Sequence, residues 1–358
     1  MTKIERYKWV KNFLGLILFT YFIGIGNYHI YAFEISKSFE INFDYEVTFF
    51  DVGGQIIVWD ANASKIFIYE ENKLTKTINA DKGQGPQDFQ LVSAVLVNLD
   101  QYYIWDRMQK RFSLYKKNWE PIEIMPLRNI SANSLPLGIT GKGFLFTWNE
   151  MVKHEKGSTM SSNIGVINAN GQKNSFYKIS APFNKMGYVN YDRPILITTF
   201  SNTGKLYFAH NNDYKIYSID LNSQDPKPSL VIEKKVKAIP WRKDFEELQW
   251  EILTKSPHDP KYIYPGYLPP LFSLAANDDM VAIITNESLH EKKTVVDFFK
   301  DGKFLGLAKL PLLCSQYLVF PSFLCLPPQA FLGKDYLLTF SYDTKTENFK
   351  IIKWKIRL

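Results

Sequence analysis

The chain has 358 residues, of which 46% are apolar, 16% aromatic and 22% charged. That balance excludes an intrinsically disordered chain and leaves room for one large β domain or two ordinary ones. The formal charge is +7, but Lys3, Arg6, Lys8 and Lys11 against Glu5 account for +3 of it, so +4 is left for the residues after 32. No nucleic-acid-binding motif accompanies this charge, and the densest basic run, Lys234-Lys235-Val236-Lys237, reads as a solvated strand edge, so no nucleic-acid partner is expected.

From the N-terminus, Lys3 to Lys11 is a basic head and Asn12 to Ile25 is almost wholly apolar. This is the layout of an export signal, and the run is short for a membrane span, which needs about 20 apolar residues. Small residues at Gly24-Ile25-Gly26 and at Ala32 offer two cleavage sites, and the aromatics around the run also permit an uncleaved anchor. Residues 1–32 are therefore expected to be a signal peptide or N-terminal anchor, with the folded domain over 33–358 exported to the periplasm or cell envelope. Oligomeric state is left open. The two cysteines, Cys314 and Cys325, can form a loop-closing disulfide in such a compartment or remain buried thiols.

After this segment, Phe39–Phe50 alternates as a strand, Asp51-Val52-Gly53-Gly54 turns, and Gln55–Trp59, Lys65–Tyr69 and Leu74–Ile78 follow as three more. Ile57-Val58-Trp59-Asp60 and Lys65-Ile66-Phe67-Ile68-Tyr69 are matched, 46 residues later at each position, by Tyr103-Ile104-Trp105-Asp106 and Arg111-Phe112-Ser113-Leu114-Tyr115. A fixed period of this size in a β-rich chain marks propeller blades, each a four-stranded antiparallel sheet. Further on, Gly143–Trp148 and Ile164–Ile167 bracket a polar segment, Asn149–Asn163, expected as a loop on one face. Asn170-Gly171 and Asp301-Gly302 are hairpin signals. Lys205–Ala209 with Lys215–Ile219, Ser273–Thr285 with Thr294–Phe299, and Phe331–Tyr342 with Phe349–Ile356 supply the later units. The last has no outermost strand of its own, and the Glu34–Phe43 region is expected to lend one. The fold predicted is an all-β, six-bladed propeller.

One stretch breaks the period. Trp241–Lys255 places Phe245, Leu248, Ile252 and Leu253 on one helical face, and a Pro- and Tyr-rich loop runs on to Leu271. The helix and loop, an insertion over 238–271, are placed over the mouth of the central channel, where loops on a rigid scaffold carry function.

The turn Gly83-x-Gly85-Pro86-x-x-Phe89 resembles the Gly-x-Gly-Pro-Gly-Glu-Phe motif of bacterial six-bladed β-propellers related to NHL-repeat and TolB-like proteins. There, as at Ile104-Trp105-Asp106, the following hairpin ends in an aliphatic-aromatic-Asp turn, and the Tyr264-Pro265 to Pro269-Pro270-Leu271 segment extends the likeness. Gln87 and Asp88 stand where Gly and Glu are usual. The resemblance implies a fold and almost nothing about activity, because propellers host many functions.

For chemistry the sequence offers little. His29, His154, His210, His258 and His290 stand at no metal-binding spacing, and no nucleophile elbow or phosphate loop is present. Asp60 and Asp106, at the repeated position after Trp59 and Trp105, suit a turn role, their carboxylates accepting from nearby backbone N–H groups. Some propellers of this kind are calcium-dependent hydrolases or lyases, which here would call on acids such as Asp192, Asp213 and Asp278. The favoured expectation is a non-catalytic protein without cofactor that binds a peptide, glycan or protein at the channel face. Trp241, Tyr262, Tyr264 and Tyr267 would provide aromatic contact with Arg193 beside them.

Overall fold

In a computed structural model the described residues are 33–358 without 45–46, 81–82, 84, 128, 132, 186–187, 191–194, 202, 224–225, 241–260, 264–266, 292, 312, 314–329, 344–347 and 358. The expected export segment, helix and cysteine pair thus lie outside the described residues. Over Ile35–Ile356 the chain forms six blade sheets in a propeller arrangement, each built on four antiparallel strands, together with a two-stranded ladder. The only helix among the described residues is a single 3-10 turn, Leu289–Glu291.

Blade 1 comprises Thr48–Val52, Gln55–Asp60, Lys65–Glu70 and Lys73–Asn79. Blade 2 comprises Val92–Asn98, Gln101–Asp106, Arg111–Lys116 and Pro121–Pro126. Blade 3 is built from Ser134–Thr140, Gly143–His154, Gly157–Ile167 and Lys173–Lys185. Blade 4 uses Leu196–Phe200, Lys205–His210, Lys215–Asp220 and Ser229–Glu233. Blade 5 uses Leu271–Ala276, Met280–Thr285, Lys293–Lys300 and Lys303–Pro311. Blade 6 takes Ala330–Leu332, Tyr336–Asp343 and Asn348–Arg357 from the end of the chain and its outermost strand, Glu34–Phe43, from the beginning. The first strand of each blade packs on the first strand of the next, which makes these the inner strands around the axis.

Two expectations are corrected. Phe39–Phe50 is not one strand: Phe43 ends the outer strand of blade 6 and Thr48 begins the inner strand of blade 1. The apolar alternation continues across the break because both strands bury Phe side chains, but in different sheets. Asn149–Asn163 is not a loop. It is a raised β-hairpin continuing the middle strands of blade 3, paired in register from Phe144↔Ile167 to His154↔Gly157.

The core lies between blades. Trp59, Ile57, Ile66 and Ile68 of blade 1 pack with Tyr102, Ile104 and Tyr115 of blade 2. Trp105 and Phe112 pack in turn with Phe144, Phe146 and Trp148 of blade 3. Aromatic and β-branched side chains suit this packing, since each blade must bury both faces of a pleated sheet. The 46-residue repeat is geometric as well. Ser64 and Lys110, at matching positions, take left-handed φ values of 51° and 53°. Their carbonyls accept from Ala80 and Leu127 at 2.8 and 3.0 Å. Asp301 and Gly302 both adopt positive φ (49° and 74°), as a tight type I′ hairpin turn requires.

Candidate functional site at the connector face

In an antiparallel four-stranded blade, the start of strand 1, the end of strand 2, the start of strand 3 and the end of strand 4 share one end. The blade-to-blade connectors and the turns between strands 2 and 3 therefore meet on one face. Among the described residues, both long elaborations begin and end there.

The best-defined connector is the Gly-Pro turn between blades 1 and 2. Asp88 folds back so that its carboxylate accepts from the Gly85 N–H, and it lies against the α-carbons of Gly83 and Gly85. A side chain at Gly83 would push the carboxylate aside, and one at Gly85 would need only a small shift of it. Gln87 takes no left-handed conformation, so the glycine usual at that place is dispensable here. Arg111, buried in blade 2, donates through Nη2 to the Gly85 and Asp88 carbonyls at 2.7 Å each, and the Tyr115 hydroxyl donates to the Pro86 carbonyl at 2.8 Å. Phe89 is buried edge-on to Trp59, with ring centroids 6.0 Å apart. Asp106, fully buried, accepts from Gln90 N–H at 2.7 Å and from the Met108 and Gln109 N–H groups at 3.0 Å. Asp60 accepts from Ala63 N–H at 2.8 Å, the same bond one period earlier. These groups are spent on holding the turn.

Two elaborations rise from the same face. The first is the blade 3 hairpin, whose strands run 12 and 11 residues where the matching strands of blades 1, 2 and 4 have 6. The second lies between blades 4 and 5. Its neck is a two-residue antiparallel ladder, Ile239↔Leu268 and Pro240↔Tyr267. Its returning strand, Lys261–Ile263, adds in parallel to Tyr188–Asn190 at the outer edge of the blade 3 sheet. Blade 3 thereby becomes six-stranded and ties the insertion across blade 4.

Of the aromatic contact residues expected from sequence, Tyr267 stands at this neck with 59% of its surface exposed. Tyr262 sits in the added strand, its backbone opposite Val189. Trp241, Tyr264 and Arg193 lie outside the described residues, as do Cys314 and Cys325.

The acids considered for metal chemistry separate. Asp213 lies in the strand 2–3 turn of blade 4, on the connector face, where it pairs with Lys215 at 3.2 Å. Asp278 lies in the strand 1–2 turn of blade 5, on the opposite face, where it accepts from Thr203 N–H at 3.0 Å. Asp192 lies outside the described residues. The inner strands begin with Thr48, Val92, Ser134, Leu196, Leu271 and Ala330, none of them ionisable. No group of three or more His, Cys, Asp or Glu with metal-binding geometry occurs among the described residues.

Two polar networks between blades escaped the sequence reading. Asp297, fully buried in blade 5, accepts through Oδ2 from the Tyr214 hydroxyl at 2.5 Å and from Lys234 Nζ at 2.6 Å, both residues of blade 4. Lys234 lies 5.4 Å from the Tyr214 ring centroid. Burial first, and then the Asp297 carboxylate, pushes the Tyr214 hydroxyl well above its usual range. Lys234 is therefore not the solvated edge residue its basic neighbours suggested. Between blades 3 and 4, His210 Nε2 lies 2.7 Å from the Tyr177 hydroxyl. Burial lowers the His210 pKa from its usual 6.5, with Asp213 pulling the other way. The folded state thus favours neutral imidazole, and this contribution to stability is present above the unfolded value and lost as pH falls below it. The expected result is a melting temperature that declines between neutral pH and about pH 5, with a shallower decline in His210→Gln. An equal slope in the variant would remove His210 as the cause.

No family model matches the chain, and no curated protein matches it in sequence. Among solved structures it is similar to a protein described as exported from Bacteroides fragilis (TM-score 0.48, 13% identity, covering 91% of this chain and 96% of that one). It is also similar to a member of the duf4221 family from Bacteroides vulgatus (0.45, 11%, 91% and 98%). A third likeness is to virginiamycin B lyase from Staphylococcus aureus (0.45, 12%, 90% and 99%).

Proposed function

We propose that this chain is an exported, non-catalytic binding propeller that holds a peptide, glycan or protein partner on its connector face. The observation that carries the reading is the gathering of the raised blade 3 hairpin and the necked insertion on one face of an otherwise regular scaffold, above inner strands that begin without ionisable residues. Tyr267 at the neck is the described contact residue, and Trp241, Tyr262, Tyr264 and Arg193 complete the aromatic and cationic set. Flat, amphipathic rings and guanidinium groups give large contact area for little lost conformational freedom. Export rests on the basic head and apolar run of residues 1–32.

The competing reading, a calcium-dependent hydrolase or lyase, needs carboxylates from several blades to converge, and Asp213 and Asp278 on opposite faces do not. The test is metal analysis of the purified chain together with thermal melts in EDTA and in added calcium. Absence of bound metal and an unchanged melt are expected. Stoichiometric metal with a calcium-raised melt would favour the enzyme, since a ligand bound to the native state alone stabilises it.

A further inference from the structure

Among the described residues, the inner edge of the raised blade 3 hairpin has no strand paired to it. The inner strand of that blade reaches only as far as Ser134, opposite Trp148, whereas the second strand continues to His154. Among the described residues no strand pairs with Glu150–His154 on the side toward the axis, while its outer side is paired throughout with Gly157–Ser161. Asn149 N–H donates toward the inner side, to the Asn133 carbonyl at 3.3 Å. Alternation along the strand then points the N–H and C=O groups of Met151 and Lys153 the same way, and those of Glu150, Val152 and His154 toward the hairpin partner. Met151 and Val152, on opposite faces of the strand, are 51% and 61% exposed.

We infer that this edge takes an extended peptide of a partner protein as an added strand, an inference that rests on the binding reading above and names its ligand class. A row of alternating donors and acceptors is matched by another backbone and poorly by a sugar or a compact small molecule. The sheet already accepts strands in this way at its other edge, where Lys261–Ile263 adds to Tyr188–Asn190 from a distant part of the chain. Lys153 and Lys156 flank the free edge on exposed positions with Glu155 between them, two cations to one acid, while Glu150 is engaged by Trp148 Nε1 at 2.9 Å and Lys173 at 3.6 Å. The preferred peptide is accordingly one with acidic residues beside an alternating apolar run.

The test pans a random-peptide phage library on the full chain and measures the selected peptides, synthesised, against variants. Met151→Pro deletes an inward N–H without touching the hairpin ladder, and proline is tolerated at such an edge position. It is expected to weaken binding about tenfold, through lost hydrogen bonds and the bulk of the ring, whereas Met151→Ala changes it little. Slowed hydrogen exchange at Met151 and Lys153 in the wild-type complex gives the same answer should Met151→Pro fold poorly. Peptides that bind Met151→Pro as well as wild type, leave both amides unprotected and lose affinity in Tyr267→Ser would overturn strand addition and leave the binding reading intact. Self-association abolished by Met151→Pro would assign the edge to a second copy and overturn the peptide. A library that yields no binder would overturn the inference as well, with a glycan array then deciding the broader reading.

Discussion

Lys234→Met is expected to destabilise the folded chain by about 3 kcal/mol, measured as a shift in urea midpoint at unchanged slope. Removing one partner of a buried pair leaves an uncompensated charge. Here the stranded group is Asp297, with no exposed surface, whose Oδ2 would keep only the Tyr214 hydroxyl and whose Oδ1 has no hydrogen-bond partner. The value sits at the low end for such pairs because the Lys234 side chain is 32% exposed, so solvent screens its charge. The companion experiment fixes the cause. In Lys234→Met with Asp297→Leu the buried charge is gone, and apolar replacements of a buried pair are commonly neutral or better. The double variant is expected to recover most of the loss. If it is no more stable than Lys234→Met alone, the Tyr214 hydroxyl left without its acceptor, or the packing of Lys234 on Tyr214, and not the stranded charge, sets the loss; adding Tyr214→Phe to the double variant separates the two.

This network shows where the sequence ceased to be legible. Tyr214 and Lys234 stand 83 and 63 residues from Asp297, and no local pattern links them. Lys234 lies among other lysines, and Asp297 falls in an apolar strand where a single acid reads as an interruption. The blade pattern, by contrast, is local. Trp59-Asp60 and Trp105-Asp106 repeat because blades 1 and 2 use the same buried ring and the same turn acceptor, so composition and spacing together reveal the unit. Strand lending by Glu34–Phe43 was legible too, from the missing outermost strand of the last unit. The raised hairpin was not. Above the body of blade 3 the strands are joined through polar side chains, the Ser162 hydroxyl donating to Asn149 Oδ1 at 2.8 Å and the Ser161 and Ser180 hydroxyls lying 2.7 Å apart. Backbone pairing and such polar cross-strand contacts, which leave no trace in hydropathy, make that segment β-structure. The candidate contact aromatics were legible as a cluster, while the edge at Met151 and Lys153 depends on how far a neighbouring strand reaches.

Trp105→Ala is expected to be the most damaging single truncation in blade 2, at about 3–5 kcal/mol. The indole is fully buried, with its ring centroid 4.8 Å from that of Phe112 within the blade and 5.5 Å from that of Phe146 in blade 3. Truncation therefore opens a cavity between two blades, and the rings around it are held by their own strands and cannot close on the space. Trp105→Phe keeps an aromatic contact and is expected to lose less than half as much. Trp59, at the matching position one period earlier, packs on Phe89 of the connector as well as in the cluster it shares with blade 2. Trp59→Ala should therefore lower stability by a similar amount and also loosen the Gly83–Phe89 turn, read as faster proteolysis there. Trp105→Ala should leave that turn protected in the folded state. Equal cleavage of the turn in both variants would show that the two repeats, alike in sequence, are not divided between connector support and blade packing.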